Sequence, residues 1–236
     1  MRLPYIAIIA AIAAAVVVVP AISETTTLHA EEKQIVEMKA EAVVKPEGIA
    51  AEVTAAEEAS YTSPIDFDAL KEANEDIKAW IQIPDSKVDY PVLFDGTDDY
   101  LYQNMSQETS KAGSIYIDKY TGCAFEDTMT ILYGHNMKNG SMFKDVDRFS
   151  EDAFYRAHQD VNIYLPDEEK KLRPFLVVVG KSDAALRVIQ TTEDLKKFCN
   201  GKRITQGEIP EELGQATVLV TCNYTGSDYR TYVFCH

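Results

Sequence analysis

The sequence predicts a mainly β domain, a closed β-barrel of seven or eight strands with peripheral helices, behind an N-terminal membrane anchor and a stalk. Three observations carry this reading. Short runs rich in β-branched and aromatic residues recur between Pro, Asp, Gly and Ser, the pattern of strands bounded by turns. Closing such strands into a barrel removes their exposed edges. Arg2 precedes an uncharged stretch from Leu3 to Ser23, close to the ~20 residues that span a bilayer. Between the two lies a segment with nine acidic residues, three lysines and no aromatic before Tyr61.

Taken in order, residues 1–23 read as an uncleaved signal anchor that leaves the remainder outside the membrane. Residues 24–62, Ala/Glu-rich and short of bulky side chains, read as a stalk. The folded domain is expected over 63–236. Its first helix is signalled by "SPIDFDALKEAN", with Ser63 as N-cap and Pro64 at the first helical position. Strands follow at "IKAWIQIP", "VDYPVLF", "GSIYID" and "TMTILYG", then a helix around Met142 to Phe149. Strands are next expected at "VNIYLP" and "LRPFLVVVG", joined by a polar turn "DEEKK". "TTEDLKKFCNGK" has a Thr cap and a Gly stop and reads as a helix. "ATVLVTC" and "RTYVFCH" close the chain as strands.

A net charge of -15 excludes a nucleic-acid partner, which needs clustered Lys and Arg to meet phosphate. The four cysteines, Cys123, Cys199, Cys222 and Cys235, invite a disulfide reading in an exported chain. If Cys222 faces Arg230 across a hairpin, however, Cys235 opposes Thr217. Cys222 and Cys235 are then roughly 16 Å apart at the usual strand rise, beyond the ~7 Å that a bridge tolerates. On that register Cys222 stays free. No Cys-x-x-Cys or paired-His spacing points to zinc, and the acids Asp118, Glu126 and Asp127 read as solvated loop residues, so neither metal nor cofactor is expected.

A reactive thiol needs a partner that moves protons near neutral pH. His29 lies in the stalk, His236 is terminal, and His158 sits among charged neighbours. His135 ends an apolar run and enters the polar turn "NMKNG", which places an imidazole at a strand exit. Each of Cys222, His135 and Arg230 has a bland reading alone: a small hydrophobe, a structural histidine, a surface cation. Together they make a candidate thiol site.

At these residues the chain resembles the class B sortases, cysteine transpeptidases of Gram-positive cell surfaces. The pieces are "DFDALKEANEDIKAWIQIPDSKVDYPVL" (66–93), "KAGSIYID" (111–118), "YGHNMKNGSMFKDVDRF" (133–149) and "VLVTC" with Arg230. The family's cysteine motif is usually TLxTC; here Val218 stands at its first threonine and Val220 where class B often has serine. The resemblance implies a sortase-type closed β-barrel in which Cys222 is the nucleophile, His135 the acid and base, and Arg230 the stabiliser of the carbonyl oxygen. Tyr133, Thr221 and Asn223 are the accompanying substrate-binding candidates, and the segment between about Ser182 and Gly214 is expected to form one wall of a peptide groove.

It implies cleavage of a surface protein's C-terminal sorting motif after Thr, followed by transfer to an amine of a peptidoglycan precursor or a pilin. The enzyme would be a single-pass membrane protein with its catalytic domain outside. Two alternatives stand beside it. A secreted cysteine protease or wall hydrolase shares the thioacyl step, although papain-like enzymes place cysteine before histidine. A membrane-tethered β-barrel binding module would use its cysteines only for packing.

Overall fold

The computed structural model describes residues 27–43 and 61–236. The chain divides into two compact units, Met1–Ala40 and Glu41–His236. The expected anchor at 1–23 lies outside the described residues, as does most of the stalk. Residues 27–42 are helical, α1, with the spacing that lets Lys33 pair with Glu37 at 3.0 Å. Among the described residues no helix is long and apolar enough to cross a membrane.

The second unit takes in residues ahead of 63. Val43 bridges Ile65, and the Ala42 carbonyl accepts the Asp66 amide at 2.6 Å. This bridge moves the helix start. Helix α2 is Phe67–Ala73, and its cap is Asp66, whose side chain accepts from the Ala69 amide. Ser63, the expected cap, instead accepts from the Ile65 amide at 3.2 Å. Ile65, held in an extended bridge, cannot also be helical.

Ten strands form one sheet rather than seven or eight: β1 Ile77–Gln82, β2 Asp89–Leu93, β3 Ile115–Ile117, β4 Met129–Tyr133, β5 Val161–Tyr164, β6 Glu169–Leu172, β7 Pro174–Lys181, β8 Arg203–Gly207, β9 Ala216–Asn223 and β10 Tyr229–Cys235. Their order is β6-β5-β1-β2-β3-β4-β9-β10-β7-β8. The sheet curls into a half-barrel whose outer strands, β6 and β8, do not pair with each other, so the predicted closure is corrected to an open edge. The expected turn "DEEKK" contributes most of β6 (EKKL), which folds back on β5. Both outer strands are polar and charged, which guards an open edge against pairing with another chain.

Three helices follow in the second half: α3 Lys144–Arg148, α4 Asp152–Ala157 and α5 Thr192–Cys199. α5 starts where Thr191 accepts the Asp194 amide and stops before Gly201, at φ +76°. It lies in the excursion from β7 to β9 and packs Leu195 and Phe198 onto a core shared with Val218, Val220, Tyr232 and Phe234. The Phe198 ring meets Tyr232 edge-on at 5.1 Å. Burying side chains of this size contributes ~1.5–3 kcal/mol each, enough to hold the excursion against one face of β9 and β10.

Candidate active site

Strands β4 and β9 run parallel, with Tyr133 level with Val220. The ladder ends there, two residues before His135 on one chain segment and Cys222 on the other. The chain between is held by the Gly134 amide on the Val220 carbonyl at 3.2 Å and the Thr221 hydroxyl on the Gly134 carbonyl at 2.8 Å. Glycine is required here by space: a Cβ on Gly134 would lie 2.5 Å from Ile115 Cδ1 and 2.7 Å from the Phe143 ring.

On the other side of β9, Cys222 pairs with Arg230 and Thr217 with Cys235. The expected register therefore holds, and all four cysteines are free thiols. Alternation puts Cys222 and Arg230 on the face that carries Val218, Val220, Tyr232 and Phe234, at the end where that face is no longer covered. Both are half-buried. The Arg230 guanidinium rests on the Tyr229 carbonyl at 3.1 Å and against exposed Asp228 at 3.3 Å. Cys199 and Cys235 are buried. Burial pushes the Cys199 thiol up to about 11 and raises that of Cys235 as well, so neither is a ready nucleophile.

His135 Nε2 lies 2.8 Å from the Leu101 carbonyl oxygen. A carbonyl only accepts, so Nε2 carries the hydrogen and Nδ1 is left as the working nitrogen. The Tyr102 ring flanks the imidazole at 5.7 Å. Leu101 ends a short 3-10 turn, Asp99–Leu101, and nothing in its side chain marks it as part of a site. His158, by contrast, stacks on Phe154 at 3.7 Å, with both ring nitrogens on backbone carbonyls.

Tyr133, Thr221 and Asn223 are placed differently from one another. Tyr133 is half-buried beside Tyr116, at 5.5 Å, and burial followed by the nearby Asp118 carboxylate raises its phenol. Thr221 and Asn223 are buried on the face opposite Cys222, and their side chains bond within the fold. Asn136, Asp147 and Tyr224 belong to the site's surroundings, yet none was singled out from the sequence, although Asn136 and Asp147 fall inside the 133–149 block. The Asn136 amide donates to the Cys222 carbonyl at 2.7 Å, and Tyr224 caps the Asn136 carbonyl at 2.5 Å.

Where β10 pairs with β7, Gly180 lies opposite Arg230. Beside it opens a cleft of about 600 Å3 lined by Gly180, Lys181, Asp183, Lys202, Thr225 and Tyr229 among others. The excursion that walls it is pinned at its start by Arg187, whose Nε donates to fully buried Asp118 at 2.7 Å. Asp127 accepts the Gly122 amide at 2.5 Å. Among the described residues no three His, Cys, Asp or Glu side chains gather as metal ligands.

A curled sheet with free cysteine, histidine and arginine near adjoining strand ends is an arrangement that can support thiol chemistry. The sortase domain family model matches residues 81–236, and the chain belongs to the sortase family. Two curated relatives are each named sortase B. That of Listeria monocytogenes is 42% identical over 90 residues, 38% of this chain and 37% of its own length. That of Staphylococcus aureus is 33% identical over 94 residues, 39% of this chain and 38% of its own. The matched stretches thus span under two fifths of either relative. The solved structure of Clostridium perfringens sortase B superposes with a TM-score of 0.63 at 25% identity, over 72% of this chain and 97% of that one. Each of these three relatives is named a sortase B.

Proposed function

We propose that this protein is a cysteine transpeptidase that joins surface proteins to an amine of the cell envelope. The reading rests above all on one observation: Cys222 lies opposite Arg230 in the β9–β10 ladder, and the parallel β4–β9 ladder ends with Tyr133 level with Val220, two residues short of His135 and Cys222. The Cys222 thiolate attacks the threonine carbonyl of a C-terminal sorting motif. Negative charge grows on that oxygen, and Arg230 offers a fixed cationic donor for it. The C–N bond then breaks, His135 gives the departing amine its proton, and a thioacyl enzyme remains. An acceptor amine, of a peptidoglycan precursor or a pilin, attacks next; His135 takes its proton and the thiol leaves. Splitting one acyl transfer into two steps is what the covalent intermediate achieves.

Exchange of the Asp228 partner for substrate oxygen is a small cost, since an exposed pair contributes only ~0–1 kcal/mol. The apolar stretch from Leu3 to Ser23 would anchor the chain in the membrane with the catalytic unit outside, where both substrates meet. The test is to incubate the soluble catalytic unit with sorting peptides, with and without an amine. Thioacyl enzyme and an amine-dependent ligated product are expected. Cleavage at the same rate with no ligated product would replace the transferase with a hydrolase, and no thioacyl adduct with any peptide would overturn the reading.

A further inference from the structure

Each of the three functional residues is followed directly by a polar one: Asn136 after His135, Asn223 after Cys222, Thr231 after Arg230. Successive side chains along a strand point to opposite faces, so Asn223 in β9 and Thr231 in β10 turn away from Cys222 and Arg230, and Asn136, just past the end of β4, meets them there. All three converge on a single carboxylate, Asp147 of α3. Its Oδ1 accepts from Asn223 Nδ2 at 2.7 Å and from the Thr231 hydroxyl at 2.7 Å, and its Oδ2 accepts from Asn136 Nδ2 at 3.0 Å. Asn223 Nδ2 also donates to the Thr231 oxygen at 2.9 Å, and Asn136 Nδ2 to the Cys222 carbonyl at 2.7 Å. The donors are buried to 3%, 6% and 0% exposure, and the Asp147 side chain is 16% exposed.

The orientation of Asn136 is fixed by these bonds, since flipping its amide would set an oxygen against a carboxylate and a carbonyl. The consequence is that Asn136 Oδ1 is buried without a partner, a destabilising arrangement. It persists because both amide hydrogens are committed, one to Asp147 and one to the backbone of Cys222. A carboxyl group, with two oxygens and about four lone-pair directions, has room for three such donors at once. A buried polar cluster is ordinarily a packing device. This one touches the residue after each of three functional residues, drawn from three separate segments, and sits on the reverse of the face where they work.

We propose that Asp147 is a positioning residue for acyl transfer: by tying Asn136, Asn223 and Thr231 to one point, it sets the spacing of His135, Cys222 and Arg230. The proposal rests on the transferase reading for its substrates. In Asp147→Asn the shape is kept, but an NH2 replaces one oxygen and must face a donor. Misplacement on the order of 1 Å costs about 10²-fold, so kcat for peptide transfer should fall by about 10² while KM for the peptide stays within a few-fold. Thr231→Val, which removes one donor without changing volume, should lower kcat by about tenfold, the worth of one bond to a charged group. Ile163→Val in β5, a core residue far along the sheet, is the control for stability alone and should leave kcat unchanged. Activity per folded molecule within threefold of wild type in both Asp147→Asn and Thr231→Val overturns the proposal, as does an equal loss in Ile163→Val. Iodoacetamide alkylation of Cys222 at neutral pH needs no peptide and should slow in Asp147→Asn. If wild type forms no thioacyl adduct, the transferase reading fails, and a wild-type alkylation rate in Asp147→Asn would then sink the positioning role separately.

Discussion

Cys222 lies directly opposite Arg230 on antiparallel strands, and the same register sets Cys235 opposite Thr217. The two cysteines of the hairpin are thereby kept apart and on opposite faces. This decides which thiol is available: Cys222 is half-buried at the open end of the face, whereas Cys235 is sealed in the core.

Thiol labelling should follow that division. The thiolate is the reacting form, and with the Cys199 thiol raised to about 11 and that of Cys235 raised by burial, neither should alkylate in the native protein at pH 8. Native mass spectra should gain label at Cys222 and, more variably, at Cys123, and all four sites should label after unfolding. Cys222→Ala should abolish thioacyl formation with little change in the thermal transition, because the strand-end thiol fills little core volume. Native labelling at Cys235 would contradict the packing described.

Among the described residues Arg230 is tied only to an exposed aspartate and a carbonyl, an arrangement its guanidinium can leave for substrate. Removing one oxyanion donor costs about 10²- to 10³-fold. Arg230→Ala should lose that much in single-turnover acylation, and Arg230→Lys should recover only part, since an ammonium lacks the planar fork. Acylation by Arg230→Ala within a few-fold of wild type would mean that the carbonyl oxygen is stabilised by other groups.

Gly134→Ala tests how His135 is placed. The added methyl meets Ile115 and Phe143, both rigid core neighbours, and overpacking of this kind costs ~1–3 kcal/mol. The strand end should shift and carry the imidazole with it, for a loss of about 10² in kcat. An unchanged kcat, measured well below the melting temperature, would show that the His135 loop is not held through Gly134.

The Asp118–Arg187 pair joins the β7–β9 excursion to the end of β3. Breaking a buried pair costs ~3–5 kcal/mol; with Arg187 31% exposed, roughly 2 kcal/mol is expected for Arg187→Ala. That corresponds to a melting temperature lower by roughly 4–8 °C in a domain of this size. Adding Asp118→Asn should restore part of the loss, because the stranded charge goes. Strict additivity of the two changes would mean that the ion pair does not couple them.

Much of this molecule is legible in local sequence. β-branched runs gave β1 to β5, β7, β9 and β10, and the Thr191 cap and the glycine after Asn200 bracket α5, because backbone stiffness and capping act within a few residues. The Cys222–Arg230 register was also readable, since a short hairpin leaves few alternatives. β6 and β8 were missed: they are polar edge strands with no buried face to impose a period. Ser63 lost its cap to Asp66 because a bridge from Val43, distant in sequence, pulled Ile65 into extended conformation. Likewise the parallel pairing of β4 with β9, the Leu101 carbonyl on His135, and the meeting of Asn136, Asn223 and Thr231 at Asp147 are long-range choices. They depend on which surfaces bury one another and where polar groups must then find partners, and no local propensity encodes that. The sequence by itself named the thiol, the imidazole and the guanidinium as candidates; only the tertiary structure set Cys222 opposite Arg230 and gathered Asn136, Asn223 and Thr231 on one carboxylate, because pairing between distant segments is decided by what they bury together.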